Sequence, residues 1–335
     1  MKFKNEVFSL WIGPSLSLLE QMCINSFLEK GTAFILYVYD DLNDIPLGTT
    51  IKDGNTVIPF SKYKEYDNPS YFSNLFRYKR LYELGGIWVD MDLVCLQPIK
   101  QLFISSEFIF SSELKNNEYH TNAGIIGCLP KTTLMFDCIN EVKHIKKTTN
   151  NIRHGQLGPK VLKKYVSKHE LNHYVYPHYV FCPYGFREVD KIFLKKFTQD
   201  DLEDTICIHL WNNVLIRENI NKNNPNEKTL YNELVLKYIP KETFKYFYKK
   251  QNEAPLLSLK NSKILISYCE TQAYFLKNTY PSSKVVLVKK TFNVFLIECN
   301  KINTHVYDYV DEIILHEDIY ESEKKFNILK SLLKK

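Results

Sequence analysis

Short, unbroken apolar runs alternate along the chain with longer segments whose apolar residues recur every three or four positions. The run "EVFSLWIG", from Glu6 to Gly13, reads as a buried strand that stops at a glycine. Ser17 and Glu20 have capping-box spacing, and Leu19, Cys23 and Phe27 carry a helix on to Gly31. "FILYVY", Phe34 to Tyr39, is a second continuous apolar strand, closed by Asp40 and Asp41. These 40 or so residues predict a βαβ unit, and hence a parallel sheet covered on both faces. "IPF" at residues 58–60 reads as a short strand. A helix is predicted from about Pro69 to Leu84, stopped by Gly85 and Gly86, with the strand "IWVDMDLVCL" following at once from Ile87. "FIFSS", "AGIIGCL" and "TICIHLW" then read as strands, and "TTLMFDCINEVKHIKK" and "GPKVLKKYVSK" as helices. The alternation predicts an α/β fold over residues 1–240. Residues 241–254 read as a basic and aromatic linker, and residues 255–335 as a small β/α appendage or incomplete second domain.

The strand predicted at Ile87 contains two aspartates one residue apart. Strand alternation would put Trp88, Asp90 and Asp92 on one face, with the aspartates about 6.5–7 Å apart at Cα. Like charges so close need a raised pKa or a bound cation, and carboxylate oxygens suit Mg²⁺ or Mn²⁺. The helix just upstream carries Asn74 and Arg77 on one face, and its double glycine delivers the chain directly into the aspartate strand. A cation site, a guanidinium and an aromatic ring in one crevice suit a sugar nucleotide: metal on the diphosphate, Arg77 on sugar hydroxyls or phosphate, Trp88 as a wall.

Composition narrows the alternatives. The chain has 335 residues, a formal charge of +6 and 14% aromatic residues. The basic residues are dispersed in pairs such as Lys163-Lys164, which argues against a nucleic-acid partner. No apolar run is long enough for a membrane-spanning helix, and the N-terminal sequence lacks the apolar region of a signal peptide. The eight cysteines have no C-x-x-C spacing and read as reduced core residues of a cytoplasmic protein. "FKYFYKK", Phe244 to Lys250, mixes rings with lysines as a peripheral contact at the inner membrane face would.

The block "FRYKRLYELGGIWVDMD" resembles the DXD-containing sugar-binding region of retaining glycosyltransferases. "SLWIG", "SLLEQMCINSFLEKG" and "LYVYDD" are similar to the N-terminal part of the branch that builds capsule and lipopolysaccharide. "NAGIIGC", "GPKVL" and "HLWNN" follow in the family's order. The resemblance covers roughly residues 6–215. It implies a GT-A fold, Rossmann-like with a mostly parallel sheet, and transfer of a sugar from a UDP- or GDP-sugar to a glycan or glycolipid hydroxyl, with retention. The cofactor it implies is Mn²⁺ or Mg²⁺. It further implies that Leu10, Trp11, Ile12 and Gly13 meet the nucleoside and that Tyr39 stacks near the base. Asp90 would lie by ribose and donor sugar, Asp92 would bind the metal directly, and Arg77 would contact the donor sugar. His209 would be a late metal or diphosphate contact, with Trp211 beside the phosphates. Asn122 and Gln156 are candidates for the sugar and acceptor side. Asn74 stands where the family usually has aspartate. Competing readings are a toxin-like enzyme acting on a host protein, an inactive carbohydrate-binding relative, and an aspartyl-phosphate phosphatase. The last fits "VDMDLV" but expects its motif on an early strand and a second acidic pair after a later strand, and "QDDLED" follows no such strand.

Overall fold

In a computed structural model, residues 3–243 are described apart from 67, 104–105, 116–117, 154, 196–201, 219 and 224–228. Farther on, only 257–258, 264–267, 284–289 and 312–315 are described. The chain divides into two compact units, Met1–Lys241 and Glu242–Lys335.

The first unit is built on a six-stranded sheet in the order β3-β2-β1-β4-β7-β6. The strands are β1 (Glu6–Leu10), β2 (Ala33–Val38), β3 (Thr50–Asp53), β4 (Gly86–Val89), β6 (Phe108–Lys115) and β7 (Glu118–Cys128); β5 (Leu93–Cys95) and β8 (Cys207–His209) form a separate antiparallel pair. β3, β2, β1 and β4 run parallel, whereas β7 is antiparallel to β4 and to β6. The sheet is therefore mixed and mostly parallel. Its central strands read as unbroken apolar runs because both faces are covered. Phe8, Leu10, Ile35, Tyr37 and Trp88 face helices α3 (Pro69–Leu84), α4 (Thr133–Thr148) and α5 (Pro159–Lys168). Val7, Phe34, Leu36, Ile87 and Val89 face α1 (Leu18–Glu29) and the β5–β8 pair.

Two expectations change. Residues 58–60 are not a strand. The sheet edge is β3 instead, whose four residues are all exposed and so give no apolar signal. The strand predicted from Ile87 to Leu96 is broken: β4 ends at Val89, the chain turns through Asp90–Asp92, and β5 joins β8 rather than the main sheet. The Leu93 amide donates to the Asp90 carbonyl across that turn at 3.3 Å.

The join of α3 to β4 sets where Asp90 lands. The Gly85 amide closes the helix on Leu81 at 2.8 Å, with Gly85 at φ 63°, ψ −156°, a region almost reserved for glycine. Buried Arg80 clamps this turn, donating from Nη1 to the Gly85 carbonyl and from Nε to the Tyr37 hydroxyl, both at 2.8 Å, with its guanidinium over Phe8.

In the second unit, β9 (Leu257–Ser258), β10 (Ile264–Ser267), β11 (Lys284–Lys289) and β12 (Glu312–Leu315) form a sheet in the order β12-β11-β10-β9. The β12–β11 and β11–β10 pairs are parallel and β10–β9 is antiparallel. The "FKYFYKK" segment lies outside the described residues, as does most of the expected linker. Among the described residues no helix is long and apolar enough to cross a membrane.

A Cβ at Gly85 would lie 2.7 Å from Pro130 and 2.9 Å from the Cys128 carbonyl, on top of the positive φ. Gly85→Ala is expected to lower the unfolding free energy by roughly 3 kcal/mol, strain and overpacking together. Urea unfolding followed by tryptophan fluorescence checks this, and an unchanged midpoint contradicts it.

Candidate active site

β1 and β4 are parallel neighbours with Phe8 opposite Trp88, so Leu10 and Asp90 arrive at the same carboxyl edge of the sheet. Leu10 pairs with Tyr37 on β2, which brings Ile12 and Tyr39 to that edge as well. This is the edge of an α/β sheet at which ligands bind.

Asp90 is held from behind. Its amide donates to the Gly124 carbonyl at 2.8 Å. Its Oδ1 accepts from Trp88 Nε1 at 2.8 Å and pairs with Arg77 Nη2 at 3.0 Å. Arg77 also donates from Nη1 to the Ala123 carbonyl and from Nε to the Ser73 carbonyl, and its guanidinium lies 4.6 Å from the centre of the Trp88 ring. Both Arg77 and Trp88 are buried. In this structure Arg77 faces Asp90 and main chain, and Trp88 is the wall behind the carboxylate rather than an open stacking surface.

Asp92 is met by a segment more than a hundred residues away in sequence. β5 pairs with β8 so that Leu93 lies opposite His209. His209 Nε2 is 3.1 Å from Asp92 Oδ1, and the Asn212 amide donates to Asp92 Oδ2 at 2.9 Å. The other imidazole nitrogen, Nδ1, lies 3.8 Å from Cys182 Sγ. The Trp211 ring stacks on His209 with centroids 4.0 Å apart, and its indole N–H donates to the Tyr184 carbonyl at 2.9 Å. Trp211 takes the left-handed conformation at φ 56°, ψ 51°, and so starts α8 (Asn212–Arg217) with its amides turned back toward Asp92.

The result is a compact group: one ligand atom from each of Asp90, Asp92 and His209 lies within 4.8 Å of the others. Two carboxylates and an imidazole fit a divalent cation. The electrostatics separate the two acids. Burial pushes the Asp90 carboxyl up and Arg77 pulls it back, but with Asp92 adding to the rise it stays above the ordinary value. Burial pushes Asp92 up too, yet the His209 charge and the His209 and Asn212 hydrogen bonds hold it below that value. Burial opposes charge on His209, and Asp92 outweighs it, leaving the imidazole well above its usual range.

The other predicted residues are distributed around this group. Leu10 is buried, Trp11 and Ile12 are half-buried, and Gly13 is exposed. The Trp11 indole N–H has no partner among the described residues. Tyr39 donates its hydroxyl to the Ile58 carbonyl, and its ring lies against Gly54, where a Cβ would be 2.7 Å away. Asn122 points inward: its Oδ1 accepts from the Gly124 amide at 2.6 Å, fixing the stretch of β7 that anchors Asp90. Asn74 is buried against Gly158, where a Cβ would meet its Oδ1 at 2.4 Å, and it donates to the Ser70 carbonyl. The side chain at this position therefore packs α3 against the start of α5. Gln156 closes a local turn with Arg153, and no described contact links it to the aspartates. Sequence reasoning missed Asn212 and Cys182, whose places depend on the β5–β8 pairing. It also saw Glu20 only as a helix cap.

Residues 19–109 match the protein family described as "Glycosyltransferase sugar-binding region containing DXD motif". No curated protein matches the chain in sequence. Among solved structures, the chain is similar to the apo-form glycosyltransferase GlyE of Streptococcus pneumoniae TIGR4, at 14% identity over 93% of this chain and 79% of that one, with a TM-score of 0.42. It is also similar to the PaToxG glycosyltransferase, at 13% identity over 50% of this chain and 69% of the other, with a TM-score of 0.40. A third is the UDP-bound glycosyltransferase domain of the YGT toxin, at 8% identity over 88% and 95%, with a TM-score of 0.37. Residues 19–109 are therefore similar to the DXD-containing glycosyltransferase sugar-binding region, and Asp90-Met91-Asp92 is the D-x-D sequence that lies within them.

Proposed function

We propose that the chain is a metal-dependent glycosyltransferase that moves a sugar from a nucleoside diphosphate donor to an acceptor hydroxyl with retention of configuration. The observation that carries this reading is the convergence of Asp90, Asp92 and His209 within the DXD region. Asp92 and His209 would hold Mn²⁺ or Mg²⁺, with Asp90 completing the acidic side. When bound, the cation would offset the charge growing on the leaving diphosphate. Arg77 acts through Asp90, fixing its carboxylate by the pairing on Oδ1. Leu10 to Gly13 and Tyr39, at the same sheet edge, are the nucleoside side of the site. Trp211, stacked on His209, would lie beside the phosphates. A glycan or glycolipid acceptor accords with the resemblance of the N-terminal segments to the capsule and lipopolysaccharide branch. Front-face attack, with the leaving phosphate taking the acceptor proton, is what the resemblance suggests for a retaining enzyme.

The test is donor hydrolysis across UDP- and GDP-sugars in the presence of Mn²⁺. Turnover of at least one donor is expected, with a loss of about 100-fold or more in Asp92→Asn at unchanged fold, the size of a lost charge stabilisation of several kcal/mol. Undiminished turnover in that variant contradicts the assignment.

Proton linkage gives an independent check. A metal takes the neutral imidazole, whereas the Asp92 carboxylate beside His209 lifts its pKa well above the usual histidine range. Mn²⁺ binding near neutral pH should release about one proton, and affinity should rise with pH until the solution passes the His209 pKa. Titration calorimetry in buffers of different ionisation enthalpy measures the release. His209→Ala should abolish it, and a wild-type value of zero contradicts the ligand role.

A further inference from the structure

The carboxylate of Glu20 is completely buried, at 0% exposure, at the start of α1. Helix capping explains only half of it. Oε2 accepts from the Ser17 amide at 2.8 Å and from the Ser17 hydroxyl. Oε1 instead receives the Lys222 ammonium and, at 3.4 Å, Nδ2 of Asn212. Lys222 Nζ also donates to Asn212 Oδ1 at 3.1 Å, so the amide of Asn212 is gripped through both its atoms. Asn212 is the residue whose main-chain N–H holds Asp92 Oδ2. The Lys222 segment is itself tied down on both sides. Asn223 Oδ1 accepts from the Leu18 amide at 3.0 Å, and the Tyr231 hydroxyl donates to the Lys222 carbonyl.

We propose that Lys222, through Glu20 and Asn212, is a positioning residue for the metal group, keeping the Trp211–Asn212 turn in the form that orients Asp92. The inference rests on the metal-dependent reading above. The left-handed conformation is disfavoured for a tryptophan, and Trp211 persists in it only if its surroundings hold it. The Lys222–Glu20 clasp on Asn212 supplies that restraint. A half-buried lysine bridging a buried carboxylate and an amide also gives the Glu20 carboxylate a partner that a helix cap alone would not supply. Removing the ammonium leaves Asn212 held only by its 3.4 Å contact to Glu20, and loosens the main-chain donor that fixes the second oxygen of Asp92.

The test is Mn²⁺ affinity of the full chain, normalised to the folded fraction, with Mn²⁺ alone as the probe. Lys222→Met is expected to weaken Mn²⁺ binding about tenfold, as loss of a partner behind a metal ligand does, and Lys222→Arg to restore most of it. A role confined to stability would lower the melting temperature and leave that affinity unchanged, which would overturn the proposal. If the single variant does not fold, the pair Glu20→Gln with Lys222→Met leaves no unpaired buried charge and carries the same measurement: weaker binding supports the proposal and unchanged binding overturns it. Wild-type protein that binds no Mn²⁺ overturns the metal-dependent reading together with this one, whereas wild-type affinity matched by the variants overturns only the role of Lys222.

Discussion

Asp90 and Asp92 repel each other, and the way the fold manages that repulsion organises the rest of the site. Each carboxylate is given its own cation from a different direction. Arg77 reaches Asp90 from α3, and His209 reaches Asp92 from β8. The first pairing needs α3 to stop at Gly85 and the chain to turn at once into β4. The second needs the chain to leave the main sheet after Val89, so that β5 can meet a strand from much later in the sequence. A continuous strand through Asp92 would have kept the second carboxylate in line with the first and away from His209.

The parts of this arrangement that are local were legible in the sequence. The βαβ start, helix α3 between Pro69 and Leu84, and its glycine stop follow from apolar spacing and from residues that permit a positive φ. The two departures share a physical cause: the information lies in a partner remote in sequence. "IWVDMDLVCL" has the apolar content of one strand, and nothing in it says that Leu93–Cys95 will pair with Cys207–His209 rather than continue β4. Thr50–Asp53 is an exposed edge strand whose one apolar residue, Ile51, makes no pattern, so pairing with β2 alone makes it a strand. Asn74 was readable as a hydrogen-bonding residue on the Arg77 face, but its packing on Gly158 is set by the approach of α5.

The same distinction separates the residues that touch the metal group from those behind it. Asp90, Asp92 and His209 belong to residue types whose chemistry announces itself. Glu20 looks like an ordinary capping residue, and Lys222 lies in a polar loop with no motif. Only the fold places them next to Asn212, and so links the first helix of the domain to a strand end on which catalysis would depend. The site thus combines a short recognisable motif with a restraint assembled from three distant segments.

On the proposed reading, Asp92 and His209 together hold one divalent cation beside Asp90. The most direct measurement is a crystal structure grown with Mn²⁺ and a nucleoside diphosphate, with anomalous diffraction recorded at the manganese edge. A single strong anomalous peak beside Asp92 and His209 is expected. A bound nucleotide with no manganese at these residues, or manganese held elsewhere, would contradict it.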